Sequence, residues 1–114
     1  MDSYNVIISP KALSQLNSYI DYIQYTLLNE QAAQNVWQDA LETREQLSTA
    51  AGSLKYCTHP QLKKYGYRSI NFKRHRYLML YRTDEKTVYV DAIYHQLQDY
   101  ENIFAHGLNL SETE

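Results

Sequence analysis

Three short runs rich in aromatic and β-branched residues, packed between Tyr65 and Tyr94, constrain this chain more than any other stretch. They are Tyr65–Phe72, Arg76–Thr83 and Thr87–Tyr94, separated by Lys73-Arg74-His75 and Asp84-Glu85-Lys86. Runs of this composition with brief polar connections read as a three-stranded antiparallel meander. Alternation along each strand groups Ile70 with Phe72, Leu78 with Leu80, and Val88 with Val90 and Ala92. These are the expected core-facing sets, which leaves Ser69, Asn71, Tyr77, Tyr81, Tyr89 and Asp91 for the other face. Arg68, Arg76 and Arg82 share parity with the apolar sets, so they are expected at strand ends, clear of the core.

The same ribbon concentrates the charge. Net charge is −2 over 114 residues, yet it falls into three blocks of −4 (1–45), +8 (46–83) and −6 (84–114). The middle block has no Asp or Glu and holds Lys55, Lys63, Lys64, Arg68, Lys73, Arg74, Arg76 and Arg82. A basic block on a tyrosine-rich sheet predicts an anionic partner. Lys63, Lys64, Arg68, Lys73, Arg74, Arg76 and Arg82 are the candidate binding residues.

Upstream, Tyr4–Ser9 is a short β-prone run. Ser9-Pro10 then forms a helix start, with Ser as N-cap and Pro at the first helical position. Leu13, Leu16, Ile20, Ile23 and Leu27 form a stripe at spacings of three and four, predicting a helix from Pro10 to about Leu28. Asn29 ends it and caps a second helix beginning near Glu30. That helix carries Ala33, Val36 or Trp37, Ala40, Leu41 and Leu47 inward, with Trp37 at the hairpin interface and Gly52 as its C-cap. The connection is too short for anything but an antiparallel helical hairpin. Ser53–Lys64 reads as a loop, Asp99–Phe104 as a short final helix, and about 107–114 as a frayed tail. The order strand, helix, helix, strand, strand, strand gives an α+β fold: one mainly antiparallel sheet, the first strand added to the meander, the hairpin over one face. The whole of 1–114 reads as one domain.

Other function classes are bounded by composition. Cys57 is the only cysteine, so neither an intrachain disulfide nor a thiolate zinc cluster is available, and a reducing cytoplasm is expected. His59 and His106 lack partners at ligand spacing, so no metal or other cofactor is expected. No apolar run reaches the ~20 residues that span a bilayer. His75 lies in a turn and reads as solvated; Cys57 reads as an inert loop thiol.

Four features together resemble the RelE/ParE superfamily, the toxins of type II toxin-antitoxin modules. They are the opening strand running into Ser9-Pro10, Tyr-Ile-Asp-Tyr-Ile at 19–23, Tyr-Leu-Met-Leu-Tyr-Arg at 77–82, and the strand ending in Tyr94-His95. The resemblance covers residues 4 to about 100. It implies a growth-arresting toxin neutralised by a cognate antitoxin, an acidic segment that folds on binding. RelE- and YoeB-like members are metal-independent, ribosome-dependent mRNA endonucleases; ParE-like members inhibit DNA gyrase. The nuclease members resemble one another in an arginine directly before the middle strand's aliphatic pair, where this chain has Leu78. Arg76 lies two residues earlier, about 6–7 Å away at strand rise. The segment after the last strand, His95 to Asp99, is poor in positive charge, and His95 matches a histidine of ParE-like members. The resemblance is therefore slightly closer to the ParE-like side. A nuclease would draw its catalytic groups from His95, Arg76, Arg68 and Tyr94. A third reading is a non-toxic basic binding module.

Overall fold

A computed structural model of the chain describes residues 3–112, with side chains through Leu108. Four strands, β1 (Asn5–Ile8), β2 (Arg68–Asn71), β3 (Tyr77–Asp84) and β4 (Thr87–His95), form one sheet in the order β1-β4-β3-β2. β2 and β4 flank β3 antiparallel, and β1 joins β4 in parallel, as the strand-helix-helix-meander order requires. The helices are α1 (Pro10–Asp21), α2 (Glu30–Ala50), α3 (Pro60–Lys64) and α4 (Tyr100–Glu112).

Both helix starts follow the capping chemistry read from the sequence. Ser9 Oγ accepts from the Ala12 N–H, and Asn29 Oδ1 accepts from the Ala32 N–H. The end of the first helix differs. The α-helix stops at Asp21 and widens into a π-helical turn, Tyr22–Thr26. Leu28, at φ 54°, then takes the left-handed conformation that closes the helical path, rather than Asn29.

At the end of α2, Gly52 is not a left-handed cap. It lies in a 3₁₀ turn (Ala51–Ser53), where a Cβ would come within 2.5 Å of the Tyr4 hydroxyl. The Ala51 carbonyl instead accepts from Arg68 Nη1 (2.7 Å) and from Tyr81 Oη (2.8 Å). A cation and a phenol from the sheet thus serve as the cap.

The sheet is covered on both faces, which the single-core expectation missed. The hairpin face buries Val6, Leu16, Val36, Ala40, Leu47, Ile70, Phe72, Met79, Tyr81, Val88, Val90 and Ile93. The other face buries Cys57, Leu62, Tyr67, Leu78, Leu80, Ala92, Tyr94, Phe104 and Ala105 beneath α3 and α4. Tyr81 is therefore a core residue, and Leu78 and Leu80 oppose Ile70 and Phe72. Ala92 is also parted from Val90. Leu80 pairs with Ala92 but Tyr81 with Val90, so Asp91 is an extra residue, and this β-bulge switches the face of everything after it.

The second face exists because the expected loop is structured. His59 Nδ1 caps Gln61 and Pro60 opens α3, the same Pro-at-N1 signal as at Pro10. Gly66 (φ 78°) closes α3 in a Schellman arrangement, with Tyr67 N–H donating to the Leu62 carbonyl. The final helix runs to Glu112, beyond the expected Phe104; residues 113–114 of the expected frayed tail lie outside the described residues. Trp37 is 40 % exposed, one position off the buried stripe of Val36, Ala40, Thr43 and Leu47.

β4 is longer than its parallel neighbour. β1 covers Thr87 to Val90 only, leaving the outer edge of β4 open beyond the bulge. Helix α1 closes it with side chains: Gln15 Oε1 accepts from the Ile93 N–H (2.9 Å) and Tyr19 Oη donates to the Ile93 carbonyl (3.0 Å).

Candidate functional site

At one end of the sheet, the turn between β2 and β3 meets the tip of the helical hairpin and the middle of α2. Asp39 holds this junction together. It sits on the buried stripe of α2 and is fully buried. Its carboxylate accepts from the backbone N–H groups of Lys73 (3.2 Å) and Arg74 (2.9 Å) and meets Nδ1 of His75 at 2.7 Å. Burial alone would raise the Asp39 pKa. The hydrogen bonds from His75, Arg74 and Lys73 outweigh it, so the carboxyl titrates below its ordinary value. His75 is thus clamped to α2, not solvated as its turn position implied. Next to it, Arg74 pairs with Glu42, one turn further along α2.

Beyond the clamp lies a cavity of about 460 Å³, lined by Ile23, Leu27, Val36, Arg74, His75, Arg76, Tyr77 and His95, with Asn29 and Ala32 at its rim. Arg76 is exposed there, and no side-chain partner of it occurs among the described residues. His95 faces Tyr77 across the β3–β4 pair, their rings edge-to-face at 5.3 Å. Its Nδ1 accepts from the Leu97 N–H (3.1 Å), which places the proton of the neutral ring on Nε2.

The remaining candidates lie elsewhere. Tyr94 points to the opposite face, buried in the α4 cluster. Arg68 pairs in register with Tyr81, four positions along β3 from Tyr77; its guanidinium is held by Ala51 and lies 4.2 Å from the Tyr56 ring centroid. Its Nε is buried without a partner. Arg68 and Arg82 stand near strand ends, as parity suggested, but both are half-buried and held by partners. Arg82 Nε donates to Asp91 Oδ2 (3.0 Å) and stacks over Tyr89. Tyr67 Oη donates to the same carboxylate oxygen at 2.7 Å, and burial together with that bond pushes its phenol well above the ordinary range. Lys63 and Lys64 are exposed at the end of α3, Lys64 over the Tyr65 ring. Lys73 is exposed in the turn.

The structure therefore gathers Lys73, Arg74, Arg76 and His95 at one end of the sheet. Arg68, Tyr94, Arg82, Lys63 and Lys64 stand away from them. Sequence reasoning missed Asp39, Glu42 and Asp91, the acids that organise these cations. One signal was readable: Asp39 lies on the same helical stripe as Val36, Ala40, Thr43 and Leu47, and a carboxylate on a buried stripe requires donors.

A second surface is apolar. Tyr22, Tyr25, Leu27 and Leu28 are exposed at the hairpin tip, Leu28 at 83 %. Trp37, Ile20 and Ala33 line a groove of about 480 Å³ between α1 and α2, with Glu30 and four amides. Among the described residues no helix is long and apolar enough to cross a membrane, and no three His, Cys, Asp or Glu are grouped to hold a metal ion.

Comparison with known proteins bears on the family and the fold. A family model described as the ParE toxin of the type II toxin-antitoxin system parDE matches residues 6–100. No curated protein sequence matches the chain. Among solved structures, a chain of the chromosomal ParDE toxin-antitoxin system from P. aeruginosa superposes with a TM-score of 0.68. It is 19 % identical, and the match covers 82 % of this chain and 96 % of that one.

Proposed function

From the premise that this chain belongs to the ParE toxin family of type II toxin-antitoxin systems, we propose that it arrests growth by binding DNA gyrase in the cytoplasm, not by cleaving RNA. One observation carries the choice. Metal-independent RNA cleavage needs a base, an acid and cations around one phosphate. Of the four groups such a site would use, Tyr94 is buried on the far face and Arg68 is engaged with Ala51. What remains is a basic turn, Lys73, Arg74 and Arg76, beside an apolar hairpin, which suits recognition. Lys63, Lys64 and Arg82 belong to the same reading as outlying contacts. The cognate antitoxin, acidic and amphipathic, would lay its apolar side along the Trp37 groove and its carboxylates towards the turn.

The second reading has an observation of its own: Arg76 and His95 share one cavity, the minimum a ribosome-dependent endonuclease would keep. Purified protein added to gyrase and relaxed plasmid separates the two. Loss of supercoiling, with transcript ends unchanged in ribosomes exposed to the same protein, is the expected result. New transcript ends with supercoiling intact would overturn it. Under the binding reading His95→Ala and Arg76→Ala weaken inhibition by degrees; under the nuclease reading one of them abolishes it.

A further inference from the structure

We propose that the cavity between the β2–β3 turn and the hairpin tip binds a phosphate carried on a flat apolar body, that is, a nucleoside 5′-phosphate. Its ten lining residues include two donors besides Arg74, the Arg76 guanidinium and His95, and no Asp or Glu, in a chain that has 13 acids. The two carboxylates that meet the turn are already engaged, Asp39 by its backbone and His75, Glu42 by Arg74. Of the four arginines in the basic block, Arg68, Arg74 and Arg82 each have a partner, whereas Arg76 has none among the described residues. His95 has its proton on Nε2, turned away from the Leu97 bond, so it offers a donor. His75 is immobilised through Nδ1, whose proton goes to Asp39, so the Nε2 of its neutral ring is an acceptor and the phosphate falls to Arg76 and His95. A planar guanidinium beside a ring donor is the arrangement that grips phosphate.

The other half of the cavity is apolar. Ile23, Leu27 and Val36 form a wall opposite Tyr77, whose ring is already ordered by Tyr19 (5.0 Å) and Phe72 (5.7 Å). Such a wall leaves inorganic phosphate half-satisfied and accommodates a base against an aromatic side chain. The 460 Å³ volume lies within the range of small-ligand sites, about 300–1,000 Å³. The phosphate has two sources, a free nucleotide or the 5′ end of a single strand. The proposal stands apart from the choice of target: it concerns the purified chain alone and is decided whatever the supercoiling assay shows.

Calorimetric titration of the full chain with 5′-AMP, adenosine, inorganic phosphate, and (dT)₈ with and without a 5′-phosphate tests it. Saturable 5′-AMP binding is expected, with adenosine and phosphate each weaker by about tenfold, or about 1.4 kcal/mol. Arg76→Gln should weaken 5′-AMP about tenfold, while Lys55→Gln, a cation of the same block outside the cavity, leaves it unchanged. Tighter binding of phosphorylated (dT)₈ than of 5′-AMP assigns the strand end; equal or weaker binding assigns the free nucleotide. Arg76→Lys keeps the charge without the planar fork and should fall between wild type and Gln. Absence of saturable nucleotide binding, nucleotide affinity indifferent to Arg76, or preference for a Trp-Glu-Glu peptide over 5′-AMP would each overturn the proposal.

Discussion

Replacing Asp39 by alanine removes the buried acceptor that ties the basic turn to α2. Three donors lose their partner: the N–H groups of Lys73 and Arg74 and Nδ1 of His75. A buried donor stripped of its acceptor costs about 1–3 kcal/mol. The turn can swing outward and recover water, so the three costs do not add in full, and the total should be about 3–4 kcal/mol, within the range for breaking a buried charged pair. For a domain this size that lowers the melting temperature by roughly 10–20 °C. Asp39→Asn keeps one acceptor oxygen and should cost about half as much; His75→Ala, which spares both backbone bonds, about 1 kcal/mol. Urea denaturation at neutral pH measures all three. The pH dependence has a fixed sign. The folded carboxyl titrates below its ordinary value of 3.8. The stabilisation is therefore complete above that value, and it declines as the pH falls from there through the folded pKa, because the unfolded chain takes up the proton first. The gap between wild type and Asp39→Asn should close on acidification below about pH 4. A cost for Asp39→Ala under 1 kcal/mol, or one matched by His75→Ala alone, would show that the turn is held by something else.

Three further outcomes follow from single sites. Gly66→Ala meets nothing within 4 Å but must sit at φ 78°, so it should lower stability by about 1–2 kcal/mol through the backbone alone, read from the urea midpoint. Gln15→Leu leaves the Ile93 N–H at the edge of β4 without an acceptor; hydrogen exchange at Ile93 should accelerate, with a loss of about 1–3 kcal/mol, and unchanged exchange would refute the edge-covering role. Burial, helped by Glu101, pushes the Cys57 thiol up to about 12, so labelling by a thiol reagent at neutral pH should be slow and should track global unfolding.

The elements with local signals were legible. Ser9-Pro10, Asn29 and the ribbon runs placed β1, the starts of both long helices, β3 and β4 within a residue or two, whereas β2 begins three residues after its run and α1 gives way to the π-turn at Tyr22. What failed depended on contacts distant in sequence. Tyr81 read as a surface tyrosine because alternation assumes one buried face; its burial requires α3 and α4, and α3 was hidden inside an apparent loop although His59-Pro60 carries the same start signal as Ser9-Pro10. Ala92 was misassigned because no local pattern reports a bulge at Asp91. Trp37 was placed inside by its hydrophobicity, when its position a single residue from Val36 on α2 turned it to the groove. For the candidate site, the sequence named Arg76 and His95 and the basic turn. It could not show that Arg68 and Tyr94 stand apart from them, since that is decided by the register of β2 against β3 and by the face each residue occupies.

Pairing with acids explains why a block of eight cations does not become a uniformly positive face. Alternation after Val88 and Val90 puts the Asp91 carboxylate on the α4 side of the sheet, where Arg82 and Tyr67 converge on it. The pair lowers the energy of the charged guanidinium enough to hold the Arg82 pKa up against its partial burial. Glu42 pairs with Arg74 from α2, and the carbonyl end of α2 draws in Arg68. Close pairs dominate over distant charge because the interaction falls with separation and is screened beyond about 10 Å. An acid-free stretch of sequence is therefore divided by acids from its two flanks. The positive potential that survives is concentrated at the β2–β3 turn and, separately, at the end of α3. A partner reading this surface meets two small basic poles, only one of them beside the apolar hairpin tip, and its specificity has to come from the spacing between them.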